Sequence, residues 1–168
     1  MNRRTRVAAI SLTFALAVPG LTACAGIAEK AAEKAAGAAI GGDVNVEDGE
    51  VTLTDESGNA VAVGENVSVP DNWPAAVPLF EGGSLIMVSV NADGTAGGMW
   101  TTDQKAADAA AAYDASLIAA GFTQTQTSNL GEMVMNTYEG NGLSVSVNAI
   151  SADDGTTGVT LSVSPSTS

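Results

Sequence analysis

The chain has 168 residues, a formal net charge of −13 at pH 7, no histidine and a single cysteine. This length suits one modest domain and a tether. The missing histidine excludes a Ser-His-Asp triad and the commonest transition-metal ligand. The acidity argues against nucleic acid and anionic headgroups as partners, because the chain offers them too few basic side chains.

Residues 1–23 have the features of a secretory signal peptide. Three arginines among the first six residues precede an apolar run from Val7 to Val18. The run is long enough for a signal core and too short for a comfortable transmembrane span. Pro19 and Gly20 would then end a helix just before the cleavage region.

The four residues Leu21-Thr22-Ala23-Cys24 resemble the lipobox of bacterial lipoproteins. The resemblance implies that a diacylglycerol is attached to the thiol of Cys24 and that cleavage follows Ala23. It also implies that the chain is anchored to the cell membrane on its extracytoplasmic side. Cys24 has no second cysteine with which to form an intramolecular disulfide. An ordinary signal peptide with a coincidental cysteine is the alternative.

Residues 24–43 are predicted to form a tether. An Ala-Glu-Lys-Ala unit occurs twice there, and its high helix propensity predicts a semi-rigid helical spacer. A helix that contacts a partner is the alternative interpretation. Residues 44–69 are predicted to form a small β-hairpin region, because Asp48-Gly49 lies between alternating apolar residues. The side chains of this region are small, so we expect it to pack against the main domain.

Residues 70–83 contain three prolines within nine positions, which predicts an extended strap whose backbone is not paired in a sheet. Trp73 in this strap is expected to anchor it to the core, and stacking on a ligand is the alternative. Residues 165–168 are predicted to be a short tail.

Residues 84–164 are predicted to form the main domain, with two strands, one helix and three or four further strands. Leu85 to Val90 is almost entirely apolar and predicts a central strand buried on both faces. Gly97 and Gly98 in the next strand indicate the close approach of another group. Asp103 is the predicted N-cap of a helix from Gln104 to Ala120. An antiparallel sheet with one helix packed on one face, an α+β fold, is therefore expected.

Two stretches are similar to a domain of uncharacterised bacterial lipoproteins. One is Asp71-Asn72-Trp73-Pro74 followed by Val77-Pro78-Leu79, and the other is Tyr113-x-x-x-Leu117 followed by Ala120-Gly121-Phe122. The resemblance covers about residues 44–164 and implies the same order of lipobox, hairpin, strap and helix-plus-sheet domain. It implies no known activity and no functional residues.

The sequence offers two candidate binding surfaces, a polar sheet face and a groove between helix and strap, and the alternatives are a solvated face and aromatic side chains that belong to the core. Strict alternation along the last two predicted strands places polar side chains on one face of the sheet, away from the core. Trp73 and Trp100 are expected to lie near a groove between helix and strap. The candidate residues are Trp73, Trp100, Ser144, Ser146, Thr160 and Ser162. Asn91 to Gly94 and Asp153 to Gly155 resemble fragments of calcium loops, but turn chemistry explains both.

The sequence therefore predicts a non-catalytic, membrane-anchored extracytoplasmic lipoprotein that serves as a binding or accessory module of the cell envelope. Its expected partners are the membrane, through the lipid on Cys24, and an unidentified protein or small molecule, with no nucleic acid. No catalytic residue, metal ligand or cofactor is expected. A carboxylate-dependent hydrolase of the cell envelope and a carrier of a small ligand or cation are the alternatives.

Overall fold

A computed structural model describes Gly37 and residues 42–47, 49–65 and 67–166. Several predicted features lie outside the described residues: the predicted signal peptide, the predicted lipidation site Cys24, most of the predicted tether and Asp48 of the predicted turn. Within the tether, Gly37 is helical and buried, and Gly42 already belongs to the first strand.

The described residues form nine strands and one helix. The strands that precede the helix are β1 (Gly42–Glu47), β2 (Glu50–Asp55), β3 (Ala60–Gly64), β4 (Ser84–Val90) and β5 (Ala96–Thr102). The helix, α1, spans Ala106–Ala119. The strands that follow it are β6 (Thr123–Asn129), β7 (Met133–Gly140), β8 (Leu143–Ser151) and β9 (Thr157–Pro165).

All nine strands belong to one sheet, in the order β1-β2-β3-β4-β5-β9-β8-β7-β6, and every neighbouring pair is antiparallel. The first five strands follow one another along the chain. The segment that contains α1 then carries the chain to the far edge of the sheet. The last four strands return by hairpins, so that β9 pairs with β5 at the centre.

The predicted α+β fold class is wrong, because the described fold is mostly β. The hairpin region adds three strands to the same sheet, since Ala60 and Ala62 of β3 pair with Val90 and Val88 of β4. A helix of 14 residues therefore accompanies nine strands. It contacts β6, β7, β8 and β9, so it covers only the later part of one sheet face. The strap covers the earlier part of that face.

The core lies between the sheet and the layer formed by α1 and the strap. Phe80 of the strap packs edge-on against Trp100 of β5, with ring centroids 6.3 Å apart, and against Tyr113 of α1 at 5.9 Å. These three rings join strap, sheet and helix in one buried cluster. The buried residues that α1 contributes are mostly small, which lets the helix approach the sheet closely: Ala106, Ala109, Ala110, Tyr113 and Leu117.

The two ends of α1 differ from each other in how they are capped. The predicted N-cap is wrong: Lys105 occupies that position without a side-chain cap hydrogen bond. The backbone N–H of Ala106 instead donates to Ser151 Oγ at 3.0 Å, a partner 45 residues away that local sequence reasoning does not reveal. At the other end Gly121 adopts a left-handed φ of 88°, and Phe122 N–H donates to the Leu117 carbonyl, so a glycine in the left-handed conformation ends the helix.

Candidate functional site

The open face is the sheet face opposite α1 and the strap. The four polar residues predicted from alternation all lie on it. Ser146 of β8 pairs with Ser162 of β9, and Thr160 of β9 pairs with Asn148 of β8. Ser144 follows at the same parity in β8. Their chain neighbours Val145, Val147, Val159 and Leu161 are buried in the core on the other side. The structure therefore brings these four predicted residues together.

The two predicted tryptophans lie on the opposite side of the sheet from these four residues. Trp100 is only 2% exposed and is enclosed by the core beneath the strap. Trp73 is half-buried, and its indole N–H donates a 2.9 Å hydrogen bond to the carbonyl oxygen of Val77 within the strap. Both rings thus pack the strap against the sheet, and neither reaches the Ser/Thr surface.

An apolar surface occupies the other half of the open face. Met99 of β5 pairs with Met87 of β4, which pairs with Val63 of β3, and the row continues through Val51 to Val46. A second row adds three residues, so the surface comprises Val44, Val46, Val51, Leu53, Val61, Val63, Met87 and Met99. All eight are half-buried, and none belongs to a core cluster of the described residues.

Sequence reasoning missed this apolar surface. The segment Leu85 to Val90 was expected to be buried on both faces, but only Val88 and Val90 of β4 are fully buried, on the helix side. The residues of the early hairpin were expected to pack against the main domain. Instead Val44, Val51 and their neighbours extend the same sheet and face away from its core. The alternation of apolar residues was the available signal, but alternation alone does not indicate which face of the sheet the helix and the strap will cover.

Charged side chains are rare on the open face, although the chain carries 19 acidic residues. Among the described strand residues with the parity of the open face, the carboxylates are Asp55 and Glu139. Asp55 is the last residue of β2, and its carboxylate accepts hydrogen bonds from the turn residues Ser57 and Asn59. Glu139 lies next to the end of β7. The interior of this face is therefore free of charge.

A polar pocket of about 210 Å³ lies on the other side of the sheet, between α1 and the edge strands β6 and β7. We call it the helix pocket. Its polar wall contains Asp114, Gln124, Thr127, Asn129 and Asn136, and its apolar wall contains Ala107, Ala110, Ala111 and Val134. One carboxylate oxygen, Asp114 Oδ1, is buried there without a hydrogen-bond partner among the described residues. Sequence reasoning did not single out any of these residues.

The hydroxyl of Tyr138 forms hydrogen bonds with two side-chain amides that line the helix pocket. It accepts a 3.1 Å hydrogen bond from Asn136 Nδ2 and a 3.4 Å bond from Gln124 Nε2. Asn136 Oδ1 in turn accepts a 2.8 Å bond from Thr127 Oγ1. Burial, followed by the interaction of its hydroxyl with the Asp114 carboxylate, which favours the neutral phenol, raises the pKa of Tyr138 to about 12. The amide donors act in the opposite direction.

A larger cleft of about 500 Å³ opens to solvent beside the start of α1, at Gly82, Gly83 and Gln104. Two of its polar side chains already have a partner, since Thr102 Oγ1 donates to the Gly82 carbonyl at 2.6 Å. Gln104 Nε2 donates to the same oxygen at 3.3 Å.

The two predicted calcium-like turns use their carboxylates internally. Asp93 accepts hydrogen bonds from the backbone and hydroxyl of Thr95, and Asp154 does the same with Thr156. These bonds lower the pKa of both aspartates, as expected when donors stabilise the ionised form. In the part of the chain that the structure describes, no cluster of three His, Cys, Asp or Glu side chains could hold a metal ion.

Comparison with protein-family models, curated proteins and solved structures gave no match for this chain. Within the described ranges, no helix is both long and apolar enough to cross a lipid bilayer.

Proposed function

We propose that the protein is a non-catalytic, lipid-anchored binding module on the extracytoplasmic side of the cell membrane, and that its open face docks a protein partner. The single observation that carries the docking role is the charge-free interior of the open face in a strongly acidic chain. Contiguous apolar surface that is kept free of charge is typical of protein interfaces.

The composition of the open face fits a macromolecule better than a small ligand. Its apolar half spans five strands, and its Ser/Thr half continues across β9 and β8. Two larger apolar side chains, Met135 and Ile150, project beside the hydroxyl groups and are 45% and 46% exposed. A broad surface with an apolar half and a hydroxyl-rich half can pack against a similarly broad surface of a partner.

The membrane anchor rests on the lipobox resemblance of Leu21 to Cys24. Two acyl chains would hold the protein firmly, since each buried methylene contributes about 0.8 kcal/mol. Metabolic labelling with an alkynyl palmitate, followed by mass spectrometry of the N-terminal peptide, tests this. We expect label in the native protein and in an Ala23→Gly control, and none in Cys24→Ala. An unmodified Cys24 thiol in the membrane fraction would overturn the anchor.

The docking role can be tested by site-specific crosslinking, because Cys24 is the only native cysteine. Ser146→Cys and Ser162→Cys place a photoreactive maleimide on the open face, and Ala115→Cys places it on the exposed side of α1 as a matched control. We expect one adduct of defined mass from both open-face positions in intact cells. Adding Met99→Glu should abolish it. Equal adducts from Ala115→Cys, or adducts that survive Met99→Glu, would refute docking at this face.

The alternative of a carboxylate-dependent hydrolase stays a prediction without a supporting contact. Asp114 is the single carboxylate in the lining of the helix pocket, whereas paired-carboxylate hydrolysis needs two.

A further inference from the structure

The helix pocket contains a carboxylate that its surroundings satisfy only in part. Asp114 lies near the middle of α1 and is half-buried, and its Oδ1 atom has no hydrogen-bond partner among the described residues. A buried carboxylate oxygen that lacks a donor is costly, so such groups are normally paired with a cation or a strong donor. Asp108 on the same helix is exposed to solvent and shares none of this environment.

Three donors of the lining are committed to other acceptors: Asn136 Nδ2 and Gln124 Nε2 donate to the hydroxyl of Tyr138, and Thr127 Oγ1 donates to Asn136 Oδ1. The hydroxyl of Tyr138 interacts with the Asp114 carboxylate, and the Oδ1 atom of that carboxylate still lacks a hydrogen-bond partner among the described residues. The described basic residue on this helix, Lys105, is nine positions earlier, which corresponds to about 13 Å along the axis. The pocket therefore presents a negative acceptor to whatever enters it.

The two walls of the helix pocket differ in chemistry. The polar wall has the carboxylate and the amide and hydroxyl oxygens, whereas the opposite wall has Ala107, Ala110, Ala111 and Val134. The small alanine side chains leave the space between helix and sheet open. At roughly 30 Å³ per water molecule, the volume of about 210 Å³ has room for several heavy atoms. A molecule with one charged end and a short aliphatic body matches both walls.

A metal ion or an anion fits this pocket less well. Calcium takes six to eight oxygen ligands and is usually held by several carboxylates, and here the lining provides one. An anion would be repelled by Asp114 and by the net charge of −13, which instead raises the local concentration of cations. We propose that the helix pocket binds a primary alkylammonium group, with its N–H donors on the Asp114 carboxylate and its methylene groups against the alanines of α1.

This site lies on the opposite side of the sheet from the open face and does not depend on the proposed function. The ammonium group has two sources, a free small amine or the lysine side chain of a peptide. Titration with n-butylammonium, which represents a free amine, and with Gly-Lys-Gly, which represents a peptide lysine, distinguishes the two sources. The probe that resembles the true source should bind more tightly. The neutral isostere 1-butanol reports the contribution of the apolar wall alone.

The test is isothermal titration calorimetry of the full chain, combined with NMR of the side-chain amides of Asn136 and Gln124. We expect saturable binding of an ammonium probe with shifts of both amide signals. Asp114→Asn should weaken binding at least tenfold, and the matched Asp108→Asn should leave it unchanged. Ala111→Leu, which fills the pocket and keeps the carboxylate, should also weaken it.

Three results would overturn the site. They are equal binding by Asp114→Asn and Asp108→Asn, binding of 1-butanol as tight as that of n-butylammonium, and no saturation by either ammonium probe below about 10 mM. Thermal melts of each variant show that it is folded, so that loss of binding is not loss of structure.

Discussion

The hydroxyl of Tyr113 in α1 donates a 2.6 Å hydrogen bond to the backbone carbonyl oxygen of Pro78 in the strap. Tyr113 is 1% exposed and its ring also packs edge-on against Phe80. One side chain therefore links the helix to the strap by both a polar and an apolar contact. Because the strap has no strand pairing of its own, such contacts hold it on the sheet.

Replacing Tyr113 with phenylalanine isolates the polar contact. We expect Tyr113→Phe to lower the free energy of unfolding by about 1–2 kcal/mol, because the Pro78 carbonyl loses its donor in a part-buried place. Urea denaturation followed by circular dichroism measures this. Ser116→Ala, which removes an exposed 3.4 Å bond on the same helix, is the control and should change stability by less than about 0.5 kcal/mol. Equal losses in both variants would contradict the link.

Gly98 of β5 has no room for a side chain. A Cβ atom there would collide with the indole ring of Trp100, whereas one at Gly97 would lie 3.2 Å from the Leu161 carbonyl oxygen. We expect Gly98→Ala to cost about 1–3 kcal/mol through displacement of the indole. Gly97→Ala should be close to neutral, since alanine in a strand offsets the tight contact.

Chemical denaturation and tryptophan fluorescence together check this pair of variants. The emission of Trp100 should shift to longer wavelength in Gly98→Ala and stay in place in Gly97→Ala, because only the first moves the ring from its buried position. A Gly98→Ala variant with unchanged emission and stability would show that the ring is not held against this glycine.

The raised pKa values of the two buried tyrosines predict that the protein loses stability at alkaline pH. Burial raises the pKa of Tyr138 from 10 to about 12, and it raises the pKa of Tyr113 well above its ordinary value. The unfolded chain therefore loses these protons first. The contribution of the two protonated phenols to the free energy of unfolding is complete below pH 10. It is lost progressively as the pH rises towards 12. Urea midpoints across this range measure it. Tyr138→Phe should flatten the dependence, and a wild-type profile that is already flat would contradict the burial of both phenols.

Asp114 also influences the ionisation of Tyr138 without any ligand. Its carboxylate favours the neutral phenol and repels the phenolate, and both effects raise the pKa. Asp114→Asn should lower the pKa of Tyr138, but it should stay above 10 because burial, the largest cause, remains. NMR titration of ¹³Cζ-labelled tyrosine reports this directly. Asp108→Asn serves as the control. An unchanged pKa of Tyr138 in Asp114→Asn would show that the Asp114 carboxylate does not influence its ionisation.

Much of the local structure follows from local sequence. The helix ends where Gly121 supplies a left-handed residue, and the hairpin between β7 and β8 turns at Asn141-Gly142, both with positive φ. These features depend on backbone preferences of single residues and their neighbours. The N-cap of α1 could not be predicted in this way, because its partner Ser151 comes from a strand far along the chain.

The fold class was wrong for a related reason. The short strands with small apolar residues at 44–69 were predicted as a separate hairpin region, but β3 pairs with β4 across the whole strap segment. Pairing partners that lie 24 to 30 positions apart leave no trace in either segment's own pattern. The helix was expected to pack on one face of a sheet with two strands before it and three or four after it, whereas it contacts four strands of nine.

The sequence by itself determined the acidic, histidine-free chemistry of the chain, the resemblance of Leu21 to Cys24 to a lipobox, the alternation of each strand and the position of α1. Composition and local periodicity carry that information. Only the tertiary structure decided which face of the sheet stays open, that Trp73 and Trp100 lie away from the Ser/Thr surface, and that Asp114 reaches a pocket beside Tyr138. Alternation defines two faces for every strand, and long-range pairing and packing select which of them is covered.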